Sequence, residues 1–195
     1  MSVVIAVKQG GRIWFGADTQ LTSGSDRYNY LSEGDYKVAK LDNGILLSWT
    51  GETAVWQTIL GHLDWFTLNG KGELTKEHIV TKILPNLYGG LKEEDALERG
   101  DEGIPLMMTG RMTLACKDKL FEVCRDFQVM RYEDYQATGS GAHAVLYGLS
   151  KIDKTQDINA QILELLRISA KHDTAVSAPF IFIDTQDLQY TVKED

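Results

Sequence analysis

The chain has 195 residues, of which 43% are apolar and 25% are charged, and its formal net charge is −8. This length favours a single domain over residues 1–195, and the acidic balance argues against a nucleic-acid or anionic-membrane surface, which would need clustered Lys and Arg. No apolar run approaches the roughly 20 residues that span a bilayer, and no secretory leader is recognisable. We therefore expect a cytoplasmic protein with neither nucleic-acid nor membrane partners.

The first 51 residues have the pattern of β structure. Two apolar-rich strands over 3–18 are joined at Gly10-Gly11, which predicts an antiparallel hairpin that begins almost at the first residue. The polar stretch 19–35 is predicted to form turns. A second hairpin is predicted over 36–51, with its turn at Asp42-Asn43-Gly44.

From residue 53 the apolar period becomes helical, and four apolar side chains fall at helical spacing: Val55, Ile59, Leu63 and Phe66. A second helix is predicted over 76–100, with Thr75 as its N-cap and Pro85 bending it. The charged run 92–103 is predicted to be a solvated helix end or loop. Strands return over 112–139, two more helices follow, and strands close the chain.

This order of elements predicts an α+β fold. Strands, two helices, strands, two helices and strands indicate two antiparallel sheets packed face to face between two helical layers, a four-layer αββα sandwich. The chain has no Gly-rich phosphate loop, and its four histidines and two cysteines lack metal-ligand spacing. We therefore expect neither a cofactor nor a metal.

Several polar residues have both a structural and a catalytic interpretation. Asp18 ends an apolar strand, where a carboxylate either caps a turn or takes part in chemistry. Lys37 and Lys40 lie three apart in a short strand and so point to opposite faces, and the inward one needs a carboxylate such as Asp18. Gly51 is either a packing glycine or an amide that faces a developing negative charge, and Ser140 would also serve as a helix cap.

Taken together, these segments resemble the proteasome beta-subunit superfamily of N-terminal nucleophile (Ntn) hydrolases, with a layout similar to the bacterial HslV-type peptidase. The resemblance covers nearly the whole chain. It is carried, in order, by VVIAVKQGGRIWFGADTQLTSG, YKVAKL, SWTGETA, ATGSGAHA and KHDTAVSAP. It implies the same four-layer sandwich and an amide or peptide hydrolase whose nucleophile is the first residue of the mature chain.

By this resemblance, loss of Met1 would expose Ser2, which stands where the family usually has threonine. Its hydroxyl would attack an amide carbonyl while its own α-amino group accepts the proton. Lys37 would favour the neutral amine, and Asp18 would hold the lysine. The Gly51 amide would stabilise the oxyanion, and two further residues would orient the amine: Ser140 and Asp173.

The resemblance also implies a substrate pocket lined by Leu21, Ala39, Trp49 and Thr53, with Asp35 at its rim. An indole that fills this pocket would favour small residues before the cleaved bond, unless Trp49 instead faces the helical layer as core. The implied partners are a peptide or unfolded-protein substrate, further copies in a homo-oligomeric ring, and an ATPase. Two alternatives remain open: a catalytically inactive ring or scaffold subunit, and an acylase that cleaves small amides.

Overall fold

A computed structural model describes residues 2–23, 25–30, 32–98 and 106–194. Ten of the strands in these residues form two five-stranded antiparallel sheets. The first sheet has the order β10-β1-β2-β11-β12. Its strands are β1 (Val4–Gln9), β2 (Arg12–Asp18), β10 (Tyr135–Thr138), β11 (Phe180–Asp184) and β12 (Thr191–Lys193). The strand that carries the start of the chain is therefore an inner strand.

The second sheet follows the order β5-β6-β7-β8-β9. Its strands are β5 (Val38–Lys40), β6 (Leu46–Thr50), β7 (Arg111–Cys116), β8 (Lys119–Val123) and β9 (Val129–Tyr132). The predicted hairpin turns at Gly10-Gly11 and at Asp42-Asn43-Gly44 are confirmed. At the first turn φ is +61° and +76°, values that favour glycine and suit a two-residue turn between twisted strands.

Residues 19–35, predicted from sequence to be rich in turns, also contain two strands that the pattern did not reveal. This segment contains a separate hairpin, β3 (Gln20–Ser23) and β4 (Asp26–Asn29), in which Leu21 pairs with Tyr28. All four residues of β4 are exposed, so burial imposes no apolar alternation on that strand. The sequence pattern that usually reveals a strand is therefore absent from it.

The α-helical segments are α1 (Thr53–Gly61), α2 (Lys76–His78), α3 (Leu84–Glu93), α4 (Ala142–Leu149) and α5 (Ile158–His172). α1 ends earlier than its apolar spacing predicts, although Phe66 still reaches the core after a 3₁₀ turn. Thr75 is confirmed as an N-cap, because its hydroxyl accepts a hydrogen bond from the His78 N–H.

A π-helical segment, Ile79–Ile83, joins α2 to α3 and ends two residues before Pro85, which has no N–H to donate to the preceding turn. Of the charged run 92–103, residues 99–103 lie outside the described residues. No helix in the described part of the chain is both long enough and apolar enough to cross a membrane.

Three apolar clusters hold these elements together. One joins α1 and α3 to the second sheet, a second joins α4 and α5 to the first sheet, and a third lies between the two sheets. Ala17 of β2 and Val38 of β5 both belong to the third cluster. Because Asp18 and Lys37 are their chain neighbours, the sheets bring these two polar residues to one margin of the inter-sheet core.

Candidate active site

A buried ion pair joins the two sheets. The Lys37 Nζ lies 2.6 Å from Asp18 Oδ2, and the two side chains are 6% and 0% exposed. The other Asp18 oxygen accepts the Val3 N–H at 2.8 Å. The carboxylate therefore fixes both the lysine and the residue that follows Ser2.

Gln20 completes the shell around this pair. Its N–H donates to Asp18 Oδ2 at 3.1 Å, and its carbonyl accepts from Lys37 Nζ at 2.5 Å. Two of the three ammonium hydrogens are thus engaged, and the third is left for the cavity that Lys37 lines. Lys40 is partly exposed and pairs with Glu33, so the prediction that only one lysine points inward is confirmed.

Burial dominates the electrostatics of the pair. Desolvation lowers the pKa of Lys37, and this shift is opposed by the charge and hydrogen bond of Asp18 and then by the charge of Asp173. Desolvation likewise raises the pKa of Asp18, against Lys37 and the two backbone N–H donors. Each charged form therefore depends on the other residue.

Ser2 lies beside the turn that precedes α4. Its backbone nitrogen donates to Ser140 Oγ at 3.3 Å, and its carbonyl accepts the Gly141 N–H at 3.1 Å. Gly139 has φ +95°, and a Cβ there would lie 2.1 Å from the Ser2 carbonyl oxygen. This turn therefore requires glycine to approach Ser2. The predicted loss of Met1 concerns a residue outside those described.

Ser2, Lys37 and Gly51 line one cavity of about 380 Å³. The Gly51 N–H donates to no acceptor among the described residues. Other residues around the cavity are Gln20, Leu21, Thr22, Tyr30, Trp49, Glu52, Thr53, Trp56 and Thr109. A serine, a buried lysine and a glycine whose N–H is unengaged within the described residues therefore border the same space.

Of the five predicted pocket residues, the structure places Leu21, Trp49 and Thr53 at this cavity. Ala39 instead belongs to the core cluster beneath α1 and α3. Asp35 is exposed in a 3₁₀ turn, Glu33–Asp35, where it accepts a hydrogen bond from Ser32. The structure does not bring these last two to the cavity.

Trp49 takes both of the positions considered for it. It belongs to the core cluster of α1 and α3, is 3% exposed, and also borders the cavity. Its Nε1 donates to the Glu52 carbonyl at 2.9 Å, which holds the indole against the start of α1. A cavity of about 380 Å³ lies beside the indole, and the preference for small residues stays a prediction.

Asp173 immediately follows α5. Its Oδ1 accepts the Ala175 N–H at 2.9 Å, whereas its buried Oδ2 has no hydrogen-bond partner among the described residues. Ser140 and Asp173 both border a second cavity of about 490 Å³. The structure therefore places Asp173 near Ser140 and within electrostatic range of Lys37.

Sequence reasoning missed Gln20, which is 1% exposed. Its side-chain amide donates to the Thr174 carbonyl and to the Thr22 hydroxyl, both at 3.1 Å. The local sequence offered one signal for Gln20: it lies two positions after Asp18, and alternate residues of an extended chain share a face. Within the described ranges, no three His, Cys, Asp or Glu side chains are grouped as a metal site would require.

No protein-family model matches the chain, and no curated protein matches it. Several solved structures, in contrast, match the chain. BPH of Thiobacillus denitrificans superposes with a TM-score of 0.73 at 21% identity, over 96% of this chain and 98% of that one. HslV of Trypanosoma brucei superposes with a TM-score of 0.62 at 15% identity, over 93% and 98%. Anbu, an ancestral beta-subunit from Yersinia bercovieri, superposes with a TM-score of 0.67 at 10% identity, over 97% and 86%.

The chain has the fold of HslV and Anbu. The sequence-based resemblance to the proteasome beta-subunit superfamily is thereby confirmed at the level of the fold. BPH has also been solved in complex with epoxomicin, and that structure superposes with a TM-score of 0.72.

Proposed function

We propose that the chain is an N-terminal serine hydrolase that cleaves peptide bonds, as a proteasome-like peptidase subunit. The observation that carries the proposal is the meeting of Ser2, Lys37 and Gly51 at one cavity, with Asp18 paired to the lysine at 2.6 Å. A buried ammonium is costly to maintain. Its presence beside a hydroxyl and an unengaged amide favours a working site over an inactive scaffold subunit.

In the proposed reaction, the Ser2 hydroxyl oxygen bonds to the carbonyl carbon of the substrate, and its proton passes to the Ser2 amine directly or through water. The oxyanion accepts the Gly51 N–H. The carbon–nitrogen bond then breaks, and the departing amine takes the proton. Water hydrolyses the resulting ester and restores Ser2.

The free amine is essential to this scheme. An α-amino group has an unperturbed pKa of about 7.7–8.0, and the Lys37 charge would lower it further, so the neutral base would be abundant near neutral pH. Ser140 would orient the amine through the contact that the Ser2 nitrogen already makes, and Asp173 would support this part of the site. Trimming of Met1 would supply the amine.

We extend the proposal to the rest of the molecule. Residues 1–195 would form one Ntn domain, in which helices, sheet, sheet and helices make the four-layer sandwich. The subunits would assemble into a homo-oligomeric ring in the cytoplasm and take peptides or unfolded proteins as substrates, with an ATPase as a candidate partner. The three apolar clusters support this layering.

Epoxomicin gives a direct test, because it is bound in one structure with this fold. We expect the purified chain to begin at Ser2 by intact mass and to gain the mass of one epoxomicin, with the modified peptide mapping to Ser2. Ser150→Ala alters an exposed serine. This variant is the control, and epoxomicin should label it to the same extent as the wild-type chain. A chain that keeps Met1 in its native host and is never labelled would contradict the proposal and support the scaffold alternative.

Shortening Trp49 is expected to change substrate preference. Trp49→Ala removes part of the cavity wall and so enlarges the cavity. Cleavage after large apolar residues should therefore rise relative to cleavage after small ones. Because the indole also packs near Gly51, the absolute rate should fall for all substrates. The measurement is therefore the cleavage profile on a peptide mixture.

Trp65→Ala is the matched control for this prediction. Trp65 stacks on His62 and borders a different cavity, so its removal should lower stability without changing the profile. A folded, active Trp49→Ala protein with the wild-type profile would show that Trp49 does not set specificity.

A further inference from the structure

Two glycines meet at the corner where β6 leads into α1. A Cβ on Gly51 would lie 2.6 Å from the Gly110 Cα, and a Cβ on Gly110 would lie 2.7 Å from the Gly51 Cα. Real Cβ atoms essentially never approach other atoms this closely. Neither position can therefore take a side chain unless the backbone moves.

The Trp49 indole closes the same corner. Its Cζ2 would lie 2.8 Å from a Cβ on Gly51 and 2.7 Å from one on Gly110, so the ring packs against both glycines. The bond from Trp49 Nε1 to the Glu52 carbonyl spans Gly51 along the chain. A Cβ on Gly110 would also lie 2.4 Å from the Thr50 carbonyl oxygen, which belongs to the peptide group that carries the Gly51 N–H.

The segment that carries Gly110 is itself anchored. Met108 exchanges two hydrogen bonds with Arg125: its N–H donates to the Arg125 carbonyl at 2.9 Å, and its carbonyl accepts from Arg125 Nε at 3.1 Å. Arg125 also pairs with Glu98, and Glu98 forms an antiparallel bridge with Met107. The chain is therefore anchored two residues before Gly110.

We propose that Gly110 is a positioning residue for the Gly51 amide. This inference rests on the proposed function, in which that N–H faces the oxyanion. Gly110 keeps the Thr50–Gly51 peptide against the β7 entry, so that its N–H is directed into the cavity without reorganisation. It acts on the transition state through Gly51 and does not itself touch the substrate.

Gly110→Ala tests the proposal. The added methyl would lie 2.4 Å from the Thr50 carbonyl oxygen and 2.7 Å from the Trp49 ring, so we expect the Thr50–Gly51 peptide to shift and kcat to fall by roughly 10²-fold, the order of an oxyanion-donor loss. Gly61→Ala is the matched control: a Cβ there meets nothing within 4 Å, and kcat should stay at the wild-type value.

A pair of ligands separates positioning from general damage. A peptide aldehyde forms a tetrahedral adduct with an oxyanion, whereas the corresponding peptide alcohol binds without one. Gly110→Ala should weaken the aldehyde by roughly 10²-fold more than it weakens the alcohol. Equal weakening of both ligands would mean a merely structural role and would overturn the inference.

A second variant covers the case in which Gly110→Ala does not fold. Arg125→Met removes the side-chain bond to the Met108 carbonyl without adding bulk at the corner, and should lower kcat and aldehyde affinity about fivefold, the worth of a typical hydrogen bond. Wild-type kcat and wild-type aldehyde affinity in Arg125→Met, or in a folded Gly110→Ala protein, would overturn this inference. They would leave the proposed function standing. A wild-type chain that neither hydrolyses peptides nor binds the aldehyde would instead overturn the proposed function, and this inference with it.

Discussion

Replacement of Ser2 by alanine is expected to reduce peptide hydrolysis by about 10⁶-fold, the order found when the nucleophile of a serine protease is removed. The substitution deletes one hydroxyl and keeps the amine, the Ser140 contact and the Lys37–Asp18 pair. We expect little change in stability. The measurement is kcat/KM on fluorogenic peptides, with unfolding curves recorded for both proteins.

Ser2→Thr is the control for this prediction, because it restores a hydroxyl at the same position and should retain hydrolysis. Parallel assays with small acyl amides distinguish a peptidase from an acylase, since both activities would depend on Ser2. Hydrolysis that persists in a confirmed Ser2→Ala preparation would place the nucleophile elsewhere. An inactive wild-type chain would favour the scaffold subunit.

Breaking the buried pair is expected to have the largest effect on folding. Asp18→Asn leaves the 5% exposed Lys37 without a counter-charge, which should lower the free energy of unfolding by about 3–5 kcal/mol. Lys37→Met leaves the carboxylate with only backbone donors and should also destabilise the fold. Both variants should lose roughly 10²–10³-fold in kcat, because Lys37→Met removes the cation and Asp18→Asn removes the carboxylate that holds it in place. Urea unfolding and peptide assays measure the two effects.

The double variant separates stability from catalysis. With Lys37→Met and Asp18→Asn combined, neither charge is left unpaired, and the asparagine oxygen can still accept the Val3 N–H. We expect the double variant to be more stable than either single variant but still inactive. Lys40→Met is the matched control: its pair with Glu33 is exposed and should contribute less than about 1 kcal/mol. Additive stability losses in the double variant would contradict a coupled pair.

The parts of this structure that could be predicted from sequence are those fixed by local chemistry or by a large energetic cost. The Gly10-Gly11 turn depends on two adjacent residues, and the Thr75 cap acts within one helical turn. The cost of burying an ammonium alone predicts that the inward lysine pairs with a carboxylate such as Asp18, whereas the choice of Lys37 over Lys40 came from the resemblance. Each inference needed no knowledge of the tertiary fold.

The remaining features depend on contacts between distant segments. Gly110 looks like an ordinary turn residue until Gly51 is placed against it, and Gln20 acquires its role only when Thr174 is brought close. Ala39 was placed at the pocket by resemblance, but in this chain its side chain packs into the core. A local pattern carries no information about which distant backbone will approach.

The order of strands in the first sheet also determines when a folding chain acquires the site. β1 can pair early with β2, its neighbour along the chain, but its other edge must wait for β10, where Val4 meets Thr138. Pairing across such a long loop is slow because closure entropy is lost before contacts are gained. Ser2 and Ser140 are separated by 138 positions, so an incompletely folded chain holds the serine without its partner. Under the proposed function, the nucleophile would therefore stay inactive during synthesis until the whole domain has formed.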